Sequence, residues 1–225
     1  MSRIVAIRPE PGLSATLAAG RAAGLDIAGW PLFELRAREW QPPEPSTIDA
    51  LLIGSAAAIR LGGAGLAAFR GKPVHAVGEI TAEAAREAGF AVASVGGGGL
   101  QKLLGKLATR PLRLLRLAGA EHVPLAPPEG ITLETRIAYE SAPLPMPGEM
   151  AQELAQGALV LLHSAAAARH LADECTRLGM SRERISLAAL APRIAEAAEA
   201  GWADVRSAAV PREAVLLALA RDMCH

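Results

Sequence analysis

An internal repeat is the sequence feature that most constrains the fold of this chain. Residues 50–61 read ALLIGSAAAIRL and residues 158–171 read ALVLLHSAAAARHL, so each has an apolar run, a serine, a run of alanines and an arginine five residues after the serine. Each segment is followed by a short apolar strand, an Ala/Glu-rich helix ending in glycine and another short strand, over 74–95 and 185–208. Alanine-rich helices also resemble one another by composition alone. The shared order of strands, serine, helices and glycine favours one α/β unit used twice.

Apolar runs alternate with longer helical stretches along the whole chain. This order is typical of a parallel sheet with crossover helices, so the fold class that we predict is α/β. The predicted strands are 3–7, 26–31, 50–53, 74–77, 91–95, 112–117, 132–139, 158–162, 186–190 and 204–207.

Two proline-rich segments predict where the chain passes between the two units. They read RAREWQPPEPS at 36–46 and ESAPLPMPG at 140–148, and proline hinders both helices and central strands. We expect a discontinuous first domain of 1–35 plus 142–225, a second domain of 45–135, and connectors at 36–44 and 136–141. A cleft between two hinged domains is a common place for a ligand.

Charge and composition exclude several classes of function. The net charge is +0, with 23 basic and 23 acidic residues, so the basic footprint of a nucleic-acid-binding protein is missing. The two cysteines are too few for a disulfide scaffold, and no Cys/His cluster has the spacing of metal ligands. No run of about 18 apolar residues predicts a membrane span, and the N-terminal MSRIVAIRPEP is too short for a signal peptide. We expect a cytoplasmic protein without a metal, a nucleic-acid partner or a membrane anchor.

Candidate ligand-binding residues follow the ends of predicted strands, where open parallel sheets bind ligands and helix N-termini present free NH groups to anions. An alternative is open for each: solvation for the arginine, helix capping for the serines, and first-turn or turn roles for the others. The candidates are Arg8, Ser55, Gly78, Glu79, Thr81 and Ser164.

Two further candidates lie near the ends of predicted strands. Tyr139, the sole tyrosine, precedes the second connector, where its phenol could assist a leaving hydroxyl or merely cover a domain junction. Arg116 could bind a carboxylate or form a salt bridge.

Other familiar sites are not supported by the sequence. The glycine run 96–99 lacks the Walker and dinucleotide spacings, so we interpret it as a flexible loop leading into a helix. His163 and Ser164 do not form a GxSxG elbow, and Cys175 has no obvious activating partner.

Taken in order, these segments resemble the uroporphyrinogen-III synthase family along nearly the whole chain. The matching segments are IVAIRPEP, DALLIGSAAAIRL, VHAVGEITAEAAREAG, LLRLAG with the strand ending in Tyr139, and ALVLLHSAAAARHL. The resemblance implies two Rossmann-like parallel-sheet domains joined by a two-stranded β-ladder hinge, with the ligand cleft between them.

The resemblance also implies a function. The substrate would be hydroxymethylbilane, a linear tetrapyrrole with eight carboxylates, which is cyclised to uroporphyrinogen III with loss of water. Departure of the hydroxyl gives an azafulvene, attack by the substituted carbon of ring D gives a spiro intermediate, and ring D is inverted before closure. We expect no cofactor and a monomer. Selectivity over spontaneous closure would come from orienting the substrate.

This chain departs from the family pattern at two places. The usual Gly-Pro-x-Thr-Ala of the second unit is Ala191-Pro192-Arg193-Ile194-Ala195, without the threonine, and LRLAG has Ala118 where a polar residue is common. We therefore expect unequal contributions from the two lobes. A non-catalytic two-lobed protein that binds tetrapyrroles or other ligands is the alternative interpretation.

Overall fold

The computed structural model describes residues 3–224, which divide into two compact units. Unit 1 comprises the described residues up to Glu34 and from Ala142 onward, and unit 2 comprises Leu35–Ser141. The chain therefore passes between the units twice.

Unit 1 is built on a five-stranded sheet in the order β11-β10-β9-β1-β2, and every pair of neighbours in it is parallel. Its strands are β1 (Arg3–Ala6), β2 (Ile27–Gly29), β9 (Ala158–Leu162), β10 (Ile185–Ala189) and β11 (Asp204–Ser207). Its helices are α1 (Gly12–Ala22), α6 (Gly148–Ala155), α7 (Ala165–Arg177), α8 (Pro192–Glu196) and α9 (Glu213–Met223).

Unit 2 carries most of a six-stranded sheet in the order β3-β8-β7-β4-β5-β6, in which β8, β7, β4, β5 and β6 pair in parallel. Its strands are β3 (Phe33–Ala37), β4 (Ala50–Ile53), β5 (Val74–Val77), β6 (Val92–Gly96), β7 (Leu112–Gly119) and β8 (Ile131–Pro143). Its helices are α2 (Ala56–Arg60), α3 (Gly63–Ala67), α4 (Glu79–Glu87) and α5 (Leu100–Leu107), with a short 3-10 helix at Pro45–Thr47.

The repeat seen in the sequence recurs in the strand order. In unit 2 the strand before the repeated serine is followed outward by the next two strands of its segment, β4-β5-β6, and in unit 1 by β9-β10-β11. Both sheets bury apolar side chains on two faces: in β9, Val160 and Leu162 belong to one core cluster, while Leu159 and Leu161 belong to another. Burial on both faces explains why the strand reads as a continuous apolar run, ALVLL.

The predicted α/β class with parallel sheets is confirmed, but the sequence prediction missed one strand and shortened another. β3 (Phe33–Ala37) was not predicted, and the proposed connector at 36–44 begins inside it. β8 extends to Pro143, so all of the connector proposed at 136–141 is strand, whereas the sequence predicted a strand only as far as 139. Pro143 is the last residue of β8, so the prolines end the strand rather than prevent it. The chain passes between the units within β3 and β8, which are neighbours in the sheet.

None of the helices in the described part of the chain combines the length and the apolar character needed to cross a bilayer.

Candidate functional site

The tyrosine candidate lines a cavity of about 310 Å³ within unit 2. The cavity is bordered by the ends of β4 and β7 and by the chain that follows β7. Its lining residues include Ser55, Arg116, Gly119, His122, Tyr139 and Ser141. Three residues singled out by the sequence, Ser55, Arg116 and Tyr139, therefore border one space.

Tyr139 lies in β8, where its ring is half-buried against β7. Its carbonyl accepts a hydrogen bond of 2.9 Å from the Ala120 amide, which fixes the backbone at this point. The ring covers Gly119 so closely that a Cβ there would lie 2.8 Å from a ring carbon. Glycine is therefore required at 119 for the ring position, a constraint that the sequence did not reveal.

Arg116 is the only arginine in the described residues that is buried, with 5% of its surface exposed. Its Nη1 donates to the Val123 carbonyl at 2.9 Å, and its Nε is buried without a hydrogen-bond partner. Burial lowers the pKa of this guanidinium, and the nearby Tyr139 phenol acts in the opposite direction. The salt bridge considered as an alternative for Arg116 does not form with any described carboxylate.

The two repeated serines are both helix N-caps. The Ser55 hydroxyl accepts from the Ala57 amide at 3.2 Å at the start of α2, and the Ser164 hydroxyl accepts from the Ala167 amide at 3.1 Å at the start of α7. Each side chain thus satisfies one of the free NH groups of its helix. Capping leaves the hydroxyl proton available, so both serines can still donate to a ligand.

The segment 78–81 forms the turn from β5 into α4. Gly78 has φ +77°, a conformation that favours glycine, and no side chain caps α4. Glu79 is exposed, and its carboxylate pairs with Arg86 at 2.5 Å. Thr81 is only 5% exposed, so its hydroxyl has little access to a ligand at the surface. Glu79 can therefore offer its backbone NH group, whereas the Gly78 amide donates to the Gly96 carbonyl at 2.9 Å and Thr81 supports the turn from within.

Arg8 takes part in a polar network of unit 1 that the sequence did not predict. Its Nη1 lies 3.3 Å from the Thr16 hydroxyl and 3.5 Å from the Glu213 carboxylate. Glu213 also accepts from the Thr16 hydroxyl at 2.6 Å and lies 3.0 Å from His163 Nε2. Burial alone would raise the pKa of Glu213, but its hydrogen bonds with His163 and Thr16 outweigh burial and hold that pKa below its usual value. A ligand carboxylate at Arg8 would therefore have to share this cation with Glu213.

The candidates thus fall into separate groups. Ser55 and Tyr139 border the cavity in unit 2 together with Arg116, while Gly78, Glu79 and Thr81 form the next strand-to-helix turn of the same sheet. Arg8 and Ser164 belong to unit 1, where Glu213 links Arg8 to His163, the residue before Ser164. Within residues 3–224 no three Cys, His, Asp or Glu side chains are grouped as metal ligands would be.

The fold and the cavity define a class: a two-unit α/β protein whose strand ends carry helix N-termini, hydroxyls and arginines suited to an anionic small molecule. The sequence model of the family described as Uroporphyrinogen-III synthase HemD matches residues 14–218. The chain therefore belongs to the uroporphyrinogen-III synthase family, as its sequence motifs predicted. Members of this family are cyclising lyases of tetrapyrrole biosynthesis, and this chain is such an enzyme.

Solved structures agree with this assignment at the level of the fold. The uroporphyrinogen-III synthetase of Helicobacter pylori 26695 superposes with a TM-score of 0.65 at 17% sequence identity, over 99% of this chain and 100% of that one. A mutant uroporphyrinogen III synthase of Thermus thermophilus gives a TM-score of 0.50 at 17% identity, over 99% of each chain. A comparison with curated proteins found no match.

Proposed function

We propose that this chain converts hydroxymethylbilane to uroporphyrinogen III, with inversion of ring D through a spiro intermediate and loss of water. The observation that carries the proposal is the family match over residues 14–218. The cavity that holds Tyr139, Ser55 and Arg116 supports it, since it combines a phenol, a hydroxyl and a cation.

The proposed role of Tyr139 is to assist departure of the substrate hydroxyl. Its ring lies directly over Gly119, which has no side chain to displace it. A positioned phenol can donate a proton to a leaving oxygen, and general acid catalysis of this kind contributes roughly 10² to 10⁴ in rate.

The proposed substrate-binding residues contribute mainly through the starts of helices. Amides after Ser55, Gly78 and Ser164 would donate to acetate and propionate oxygens, with Arg8 adding positive charge. Glu79 would contribute its backbone NH, because its own carboxylate pairs with Arg86. Thr81, being buried, would act by holding the first turn of α4 in place.

The product isomers formed from freshly prepared hydroxymethylbilane test this proposal. Spontaneous closure gives isomer I, so the enzyme must direct the reaction to isomer III. After oxidation to porphyrins, the isomers can be separated and counted. Tyr139→Phe and Thr81→Ala should each slow formation of isomer III while the protein stays folded, and unchanged rates in both would remove these residues from the mechanism. Formation of isomer I alone, at the spontaneous rate, would contradict the proposal.

We also propose that the enzyme acts as a monomer in the cytoplasm and needs no cofactor. Sedimentation equilibrium gives its mass directly, and the expected value is the chain mass of 23.3 kDa. Treatment with a chelator should leave the rate of isomer III formation unchanged.

A further inference from the structure

Arg116 carries a charge that the described protein groups leave largely unpartnered. Its side chain is 5% exposed, yet only one of its five N–H donors has a hydrogen bond, the 2.9 Å bond from Nη1 to the Val123 carbonyl. The buried Nε has none. Burying a cation is costly unless it is paired, so a buried arginine that has no ion pair and borders open space is suited to bind an anion.

The space next to Arg116 is a second cavity of unit 2, of about 530 Å³. It is lined on one side by Gly98, Gly99, Leu100 and Gln101 and on the other by Val123, Pro124 and Leu125. Arg116 also lines the cavity of Tyr139, as do Gly54 and Leu100. The guanidinium therefore borders both cavities.

The start of α5 adds a second positive element to this cavity. The helix begins after Gly98 and Gly99, with φ +79° and φ +97°, and no side chain caps it. Its first turn contains no acidic residue, so its free NH groups and the positive end of its dipole are not neutralised locally. We interpreted this glycine run from the sequence as a flexible loop; the structure places it beside a buried cation.

No described carboxylate of the protein pairs with the Arg116 guanidinium. Glu121 lines the Tyr139 cavity, but it is exposed and forms no ion pair with Arg116. No Asp or Glu lines the larger cavity. The remaining lining of the larger cavity is mainly apolar and would suit the ring from which a carboxylate extends.

We propose that Arg116 and the start of α5 form an anion-binding subsite that takes one carboxylate side chain of the tetrapyrrole substrate. The inference rests on the proposed function, since that function supplies the ligand. Because Arg116 borders both cavities, a carboxylate bound there places its pyrrole ring next to the cavity of Tyr139. Arg116 thereby helps to determine which ring reaches the phenol.

The test measures binding of uroporphyrin III, a stable octacarboxylate that does not react, by quenching of tryptophan fluorescence. Arg116→Gln removes the positive charge, and Arg116→Lys keeps the charge but lacks the planar guanidinium group. Arg113→Gln is the matched control on the same strand. Arg113 is exposed, so its substitution removes one positive charge without touching the cavity.

For Arg116→Gln we expect Kd to rise on the order of tenfold, as for loss of a hydrogen bond to a charged group. The dependence of Kd on NaCl between 50 and 300 mM should also become shallower than in the wild type. Arg116→Lys should lose less affinity and keep the salt dependence, and Arg113→Gln should match the wild type. If Arg116→Gln does not fold, the wild type alone decides: a Kd that does not change between 50 and 300 mM NaCl overturns the proposal.

A purely structural role for Arg116 predicts a lower melting temperature with unchanged Kd and salt dependence, and that result would overturn the proposal. So would a wild type that does not bind the porphyrin. The two proposals fail separately. A protein that forms no isomer III but binds porphyrin through Arg116 refutes only the proposed function, whereas isomer III formation with an unchanged Kd in Arg116→Gln refutes only the subsite.

Discussion

Protonation or removal of the Glu174 carboxylate should selectively destabilise unit 1. This side chain, with 6% of the residue exposed, accepts from the Met146 amide at 2.5 Å and from Arg177 Nε and Nη2, both at 2.7 Å. The hydrogen bonds from Arg177 come first among the causes that lower the pKa of Glu174 from 4.5 to about 2, against the opposing effect of burial. Glu174 thereby ties the chain after β8 to helix α7.

The size of the effect follows from the pKa shift. At about 1.4 kcal/mol per pKa unit, the shift sets an upper limit of roughly 3 kcal/mol. Because Arg177 is half exposed, solvent screening reduces this to about 1–2 kcal/mol. A lowered folded-state pKa means that the contribution is complete above the unfolded pKa of 4.5 and is lost as the pH falls towards 2. Glu174→Gln should therefore cost about 1–2 kcal/mol at pH 7 and progressively less below pH 4.5.

Urea unfolding can measure this effect in unit 1 alone. In a Trp40→Phe background the remaining tryptophans, Trp30 and Trp202, both lie in unit 1, so their fluorescence reports that unit. Glu183→Gln, an exposed residue of the same unit, is the control. Equal stability of Glu174→Gln and Glu183→Gln at pH 7, or a difference that does not shrink between pH 4.5 and pH 3, would refute the reasoning.

Two further substitutions test the cavity and the caps. Gly119→Ala places a Cβ 2.8 Å from the Tyr139 ring. Displacing that ring should slow isomer III formation on the order of tenfold to a hundredfold. The control is Gly105→Ala, which has open space around it and should leave the rate unchanged. Equal rates in both variants would show that the ring position is irrelevant. Ser164→Ala removes the acceptor of the Ala167 amide and should lower the free energy of unfolding, measured by chemical denaturation, by about 1 kcal/mol. Ser164→Asp can still cap α7 and should lower it little. An equal decrease in both variants would argue against capping.

The repeat and the central strands could be predicted from sequence because their signal is local. Strands β4, β5, β9 and β11 have the predicted bounds. The first three are short, mainly apolar runs, whereas β11 (DVRS) was predicted from its place in the repeat. β3 could not be predicted in the same way. Its sequence, FELRA, is half polar, and it is a strand because it pairs with β8, which is distant in sequence.

The environment of the candidate site residues was less predictable than their position at strand ends. Arg113 and Arg116 occur in one short segment, LRLLRLAG, yet Arg113 is exposed near the start of β7 while Arg116 is buried further along the strand, where residues on both faces are covered. Alternation of faces does not predict this difference, since Leu115 shares a face with Arg113 and is buried. Likewise Thr16 and Glu213, which bind each other beside Arg8, are 197 positions apart. Sequence spacing carries no signal for contacts of that kind.

The dependence of the isomer ratio on protein concentration tests the central claim most directly. Hydroxymethylbilane is mixed with increasing amounts of the wild-type protein, and the products are oxidised and separated. If the chain directs cyclisation, the fraction of isomer III rises towards one as the enzymatic rate overtakes spontaneous closure. A product that stays isomer I at every protein concentration would contradict the account.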